Sequence, residues 1–468
     1  MPLMIAIYLT VVGCLVALAV TKGFERTLPL FAFLVIMLPN EARIYFVDLF
    51  VLSATRVVVA TLIVLYFVFG RRNRGSDRGR RLPMKYLLIL YLGWCAVATV
   101  NSIVFITSLK TVIDNALEFY LVYYILAKSV SSVQTVHRIL IASVAALVVC
   151  CAFGALEAYA HWKVSDLFPE VVHRLKAAVE GSPGTPSRIR STFPNAILFG
   201  NALALGIPWV LYLLSLAKTA AQKVYLWAAL IMMAWSLYKT VSRGPWLALA
   251  LSLVVLYIFS FSQGSVRRNL AVFAFLTIAA LIIRPGVRDT LKNTYVETLD
   301  PQSRRGASYQ SRYELMRAGT HALAGNLGRS LWGFGPESFY YLGLEAKVPA
   351  TGQLEVLESC DSAWVGVLVE MGYVGLFLVA ALLTKAALIS LEEFRTLPRP
   401  ANILCLVFMI NIGAFAFMML SVANYQYGQQ TYMLWTLIAL SVVYPGLAKA
   451  ENQAKNGAML RDPSPVRA

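Results

Sequence analysis

Long apolar runs alternate with short polar gaps along this chain. A helix needs about 20 largely apolar residues to cross the hydrocarbon core of a bilayer. Runs of that kind occupy 2–21, 46–70, 86–106, 109–127, 139–160, 193–216, 225–242, 245–262, 270–284, 362–384, 401–421 and 430–445. A shorter run, 28–39, reads as tilted, re-entrant or one half of a broken helix. The pattern predicts an all-α, polytopic membrane protein of about 12 or 13 spans with one large external loop of short helices. The first run has no basic n-region and no convincing cleavage site, so it reads as a retained membrane helix rather than a removed signal peptide.

Composition strengthens this reading. Of 468 residues, 59% are hydrophobic and 14% charged, and the mean hydropathy is +0.66. That polar surface is too scarce to coat soluble domains, so lipid must solvate most of the chain. The net charge of +17 sits in the gaps, most clearly at Arg71, Arg72, Arg74, Arg78, Arg80, Arg81 and Lys85. Charge so placed marks cytoplasmic loops rather than a nucleic-acid surface. Cys14, Cys95, Cys150, Cys151, Cys360 and Cys405 show neither a CxxC pair nor a His-linked spacing. That spacing argues against a disulfide framework or a zinc site.

Sidedness follows from parity. The basic gaps at 71–85, 128–138, 217–224, 263–269 and 385–400 are separated by even numbers of spans, so all can face the cytoplasm with the basic tail. The segments 161–192, 242–244, 285–361 and 422–429 then share the opposite face, periplasmic in a Gram-negative bacterium. The chain divides into N-terminal spans at 1–160, central spans at 161–284, a large loop at 285–361, C-terminal spans at 362–445 and a basic tail at 446–468. The large loop carries eight basic against nine acidic residues, and its Tyr, Trp and Gly content suggests a compact cap.

Candidate chemistry gathers on the external face. Arg188 and Arg190 stand in SPGTPSRIRSTFPN, just before an apolar run, and Arg243 stands in the turn of KTVSRGPWLA. A guanidinium there either snorkels to headgroup phosphate or grips a phosphate or pyrophosphate through its planar fork. The proline after Arg243 suits a helix start, which would aim free N–H groups at the same anion. In SRYELMRAGTHALAG, Arg312, Tyr313, Arg317 and His321 read as one helical side, either an amphipathic surface helix or a site with His321 as base. Glu358 and Asp361 stand at the entrance to the next span. One of them accepts a proton from a sugar hydroxyl, or Asp361 caps the helix with Ser362 assisting.

At these residues the chain resembles the O-antigen ligase and O-antigen polymerase superfamily. The resemblance is carried by RIRSTFPNAILFGNALAL, TVSRGPWLALAL, SRYELMRAGTHAL with GFGPESF, and CDSAWVGVLVEMGYVGL, over roughly 185–385. It implies an inverting membrane glycosyltransferase whose donor is a polyprenyl-pyrophosphate-linked glycan, used at the periplasmic face. Its acceptor would be a glycan or lipid-linked molecule, its surroundings membrane lipids of the inner membrane, and its partners would include a chain-length regulator. Arg190 and Arg243 match the arginines thought to hold the pyrophosphate, with Arg188 and Arg312 as further candidates. The ligase branch has a His-Asn pair where this chain has Cys360-Asp361, which favours polymerisation of O-antigen or exopolysaccharide repeats over ligation to lipid A-core. Asp361, then Glu358 or His321, is the expected base. The external loops contain no DxD-type cluster, so neither a metal nor a cofactor is expected. A transporter or flippase is the reading from another class. It would place ionisable residues near the midplane, for which Asp48, Arg56, Asp114 and Glu118 are the candidates.

Overall fold

The computed structural model describes residues 2–39, 41–46, 50–70, 82–168, 188–260, 263–283, 303–347, 353–357, 360–423, 425 and 428–461, with isolated positions between 286 and 300. Asp48, Glu358, the basic loop 71–81 and the end of the tail lie outside the described residues.

The chain is an all-α membrane protein. Its helices are α1 (Pro2–Lys22), α2 (Thr27–Met37), α3 (Ala54–Leu65), α4 (Lys85–Val100), α5 (Phe105–Asn115), α6 (Leu121–Ser129), α7 (Val133–Tyr159) and α8 (Ala196–Leu216). After them come α9 (Ala220–Lys239), α10 (Arg243–Phe259), α11 (Gly264–Ile283), α12 (Arg304–Leu323) and α13 (Leu327–Trp332). The last are α14 (Ala363–Thr396), α15 (Ala401–Met418) and α16 (Gly428–Arg461). Among the described residues, seven helices (α1, α7, α8, α9, α14, α15 and α16) are long and apolar enough to cross a membrane, and three shorter apolar ones begin at Ala54, Lys85 and Arg243.

Local chemistry fixes the helix starts. Ser132 and Asn195 accept the Thr135 and Leu198 N–H groups at 3.2 and 2.9 Å. Thr219 and Gln222 form a reciprocal capping box at the start of α9. The run 46–70, expected to be one span, divides instead. Arg43–Phe46 pairs antiparallel with Phe50–Ser53, and Ser53 caps the helix that begins at Ala54. Its alternating aromatic and β-branched residues suit a hairpin, and Tyr8 anchors it by donating to the Leu52 carbonyl at 2.6 Å.

Helix α8 is the hub, 94% buried over its apolar window, and it packs on α7, α9, α10, α11, α15 and α16. Leu315, Phe339, Cys360, Val365 and Val369 form a second, smaller core, through which the loop folds onto the start of α14.

Helix α14 is broken at Gly372, whose φ of 66° and ψ of −171° are non-helical. A side chain at Gly372 would overlap the Leu331 carbonyl, and one at Gly333 the Glu370 backbone, so the loop lies directly on the break. The freed carbonyls are all taken: Val369 by Phe334 N–H at 3.0 Å, Glu370 by Gly335 N–H at 2.8 Å, and Met371 by the Trp94 indole at 3.0 Å. Irregular backbone at a membrane helix requires such satisfaction.

Polar contacts tie the connections together at the two ends of the bundle. At one end Gln429 donates to the Ile36 and Leu38 carbonyls, Gln430 to Leu198 and Arg329 to Asn101. At the other Ser131 donates to Glu25 at 3.0 Å, Lys449 pairs with Glu393 at 2.8 Å and Gln263 meets Asn402 at 3.4 Å.

Candidate active site

Four segments converge at the end that carries the long loop: 188–195, the turn 240–242, the turn 419–423 and the start of α14. Residues 188–191 run between the ends of α7 and α9. Ile189 is fully buried and its N–H donates to the Lys239 carbonyl at 3.4 Å. Arg188 and Arg190 flank this buried residue and reach different partners.

Arg188 bonds the turn after α9. Its Nε donates to the Thr240 carbonyl and its Nη2 to the Ser242 hydroxyl, both at 2.8 Å. Ser242 is the residue before α10, and Arg243 is the first residue of that helix. Arg188 thus braces the turn that carries Arg243. The proline expected at the first helical position stands at the third, Pro245, still within the turn whose N–H groups lack intrahelical acceptors.

Arg190 is held among carboxylates. Its Nη1 lies 3.2 Å from Glu41 Oε1 and donates to the Pro194 carbonyl at 3.2 Å. The Arg190 and Ser191 N–H groups both donate to Glu157 Oε2 at 2.9 Å. Glu41 and Glu157 are buried, and Ser191 takes a left-handed φ of 56°. Burial pushes the Glu41 carboxyl above its ordinary value, against the opposing pull of Arg190. Neither carboxylate stands out in the sequence, where each is one acidic residue beside an apolar run.

Arg243 connects to Asp361 through the turn after α15. A Cβ at Gly244 would press on the Ser421 hydroxyl, so the two turns approach closely. Two residues after Asp361, the Ala363 N–H donates to the Met419 and Val422 carbonyls at 2.9 and 3.3 Å. The N-cap position before α14 belongs to Ser362 and not to Asp361. The Ser362 side chain makes no capping bond, and backbone carbonyls of the neighbouring turn take the first helical N–H instead. Asp361 is exposed, whereas Cys360 is buried, its thiol pushed up to about 12 by burial.

The candidates on α12 are less concentrated. Leu315 and Gly319 face α14, with Gly319 against Val365 and Val369. Arg312 is half-buried, while Tyr313, Arg317 and His321 form an exposed stripe that turns His321 away from α14. Among the described residues no group of three or more His, Cys, Asp or Glu is placed to hold a metal ion.

Of the ionisable residues near the spans, Arg56, Asp114 and Glu118 satisfy one another. Arg56 pairs with Asp114 at 2.8 Å and Glu118 at 2.7 Å, and Tyr432 donates to Glu118 at 2.7 Å.

The turn with Arg243, the folded loop and the broken helix behind Asp361 lie in sequence order within one stretch. Residues 228–380 match the O-antigen ligase family. No curated protein matches the chain. The O-antigen ligase stretch runs from within α9 to just past the Gly372 break, so it encloses Arg243, Arg312, His321 and Asp361 and leaves Arg188 and Arg190 outside. It places this part of the chain in the O-antigen ligase and polymerase superfamily. The chain is a multi-pass membrane protein, and the match over 228–380 supports a glycan ligase or polymerase role with a lipid-linked glycan as substrate.

Proposed function

We propose that the protein is an inverting glycosyltransferase that polymerises polyprenyl-pyrophosphate-linked oligosaccharide repeats of O-antigen or exopolysaccharide at the periplasmic face of the inner membrane. The observation that carries this reading is the bracing of the Arg243 turn by Arg188, beside an Arg190 held at a bundle end.

In the proposed reaction an acceptor hydroxyl attacks the anomeric carbon of the donor. The new glycosidic C–O bond forms as the bond from that carbon to the pyrophosphate oxygen breaks, and the pyrophosphate leaves with the electron pair. Arg190 and Arg243 neutralise the charge that develops on it, and preorganised donors of this kind serve without a metal. Arg188 acts by positioning Arg243, and Arg312 stands at the edge of the site. Asp361 takes the hydroxyl proton. Its exposed place two residues before the N–H that bonds the turn abutting Gly244 favours it over His321, which faces away from α14. Glu358 lies outside the described residues and keeps its place as an alternative base.

A ligase that transfers a preformed glycan to lipid A-core or another acceptor is the second reading, favoured by the family that residues 228–380 match. Purified protein supplied with a lipid-pyrophosphate oligosaccharide separates the two. A ladder of repeat lengths on one prenyl carrier, unaffected by EDTA, supports polymerisation. Transfer of one block to a different acceptor supports ligation, and loss of activity in EDTA rejects the metal-free mechanism. A requirement for a chain-length partner would appear as an unregulated ladder from the isolated enzyme.

A further inference from the structure

At the end opposite the candidate active site, a cavity of about 350 Å³ opens where α9 and α11 both pack on α8. Its polar wall is Lys223, Arg268, Ser215, Ser265 and Asn269, with Trp227 beside them, and no acidic residue among the described ones lines it. Lys223 and Arg268 lie in the first turns of α9 and α11, so two cations from different helices face one hollow. Its position among the basic connections matches what an anionic leaflet selects, because basic pockets between membrane helices take acidic lipid headgroups.

The two helix faces below the cations are apolar. On α9 the side of Lys223 continues to Trp227 and Ile231, and on α11 that of Arg268 continues to Val272 and Leu276, at helical spacing. Ile231, Val272 and Leu276 are exposed large hydrophobics. The cavity is therefore polar and cationic at its mouth and continuous with greasy surface along the bundle. That arrangement fits an amphiphile better than a free ion.

We propose that this cavity binds the phosphate group of an anionic phospholipid, with Lys223 and Arg268 on the phosphate, Ser215, Ser265 and Asn269 on the glycerol or headgroup hydroxyls, and one acyl chain along α9 and α11. Trp227 sits at the level where indoles favour the headgroup boundary.

The test uses the full-length protein in nanodiscs of mixed phosphatidylcholine and phosphatidylglycerol, with retained lipid read by native mass spectrometry. The pocket variant combines Lys223→Gln and Arg268→Gln. A control combines Lys385→Gln and Arg395→Gln, exposed residues near the same end with an equal loss of charge. All four side chains are exposed, so circular dichroism should report the same helicity throughout. Wild type and control should retain phosphatidylglycerol over phosphatidylcholine, and the pocket variant should lose roughly thirtyfold of that preference, from about 1 kcal/mol per cation. Equal preference in all three proteins, or equal loss in pocket and control variants, overturns the site. Displacement of the lipid by equimolar inorganic phosphate overturns the lipid assignment in favour of a soluble phosphate.

Discussion

The Arg190 guanidinium meets the Glu41 carboxylate at 3.2 Å, and the backbone of the same arginine is held by a second buried carboxylate, Glu157. Before any donor arrives, Arg190 is therefore fixed at both ends, and Glu41 balances its charge in a place poor in water. A pyrophosphate that engages Arg190 competes with Glu41 for the same fork. This follows from the proposed function and gives the acid side chain a measurable role.

Burial raises the Glu41 proton affinity above the ordinary carboxylate value, Arg190 and Arg43 oppose the rise, and Glu157 reinforces it. A group that holds its proton more tightly when folded contributes stability below its unfolded value, and that contribution is lost as pH rises through the folded value. Melting temperature should therefore fall from about pH 4 upward towards neutrality more steeply in wild type than in Glu41→Gln. Glu337, raised in the same direction by burial, remains in both proteins, so the variant should flatten the slope only in part. Parallel curves would remove the role given to Glu41.

The break in α14 depends on a left-handed residue pressed against backbone. Gly372→Ala should cost about 2 kcal/mol or more, from strain and from overlap with the Leu331 carbonyl. Gly93→Ala, in open space within α4, should be neutral or gain up to about 1 kcal/mol from helix propensity. Thermal unfolding in detergent checks the contrast, and equal effects at the two positions would show that the break is not under this constraint.

Much of this was readable from residue pattern alone, and its failures have physical causes. Run lengths gave the apolar helices, because hydropathy acts locally. The 43–53 hairpin was hidden because its strands are as apolar as the helix that follows. Arg188, Arg190 and Arg243 could be picked out as cations beside apolar runs. Their division into a brace, a carboxylate-held residue and a helix-start residue could not, since Thr240, Ser242, Glu41 and Glu157 reach them from distant segments. Asp361 looked like a cap because Ser362 and a helix follow it. The Met419 and Val422 carbonyls, more than fifty residues away, take that role.

Arg188 acts through Arg243 in this account, so their effects should overlap. Arg188→Ala should lower kcat about tenfold or more with little change in KM for acceptor. Adding it to Arg243→Ala should cost much less than the product of the single losses. Full additivity in a double-mutant cycle would separate the two residues.

Cys360 stands where the ligase branch has histidine. Its thiol, pushed up to about 12 by burial, carries almost no thiolate at neutral pH and is a poor nucleophile. Cys360→Ser should keep most turnover, and maleimide should label Cys360 in the native protein only after unfolding. Rapid native labelling at Cys360 itself, mapped apart from the exposed Cys14, or turnover abolished in Cys360→Ser, would contradict this.

The most direct measurement is turnover of a synthetic polyprenyl-pyrophosphate oligosaccharide by purified wild type, Arg190→Ala and Arg243→Ala, each shown to be folded. If these arginines neutralise the leaving pyrophosphate, each alanine variant should lose about a hundredfold or more in kcat. Turnover of Arg190→Ala and Arg243→Ala within about twofold of wild type would contradict the account, since so small a change is under 0.5 kcal/mol of barrier.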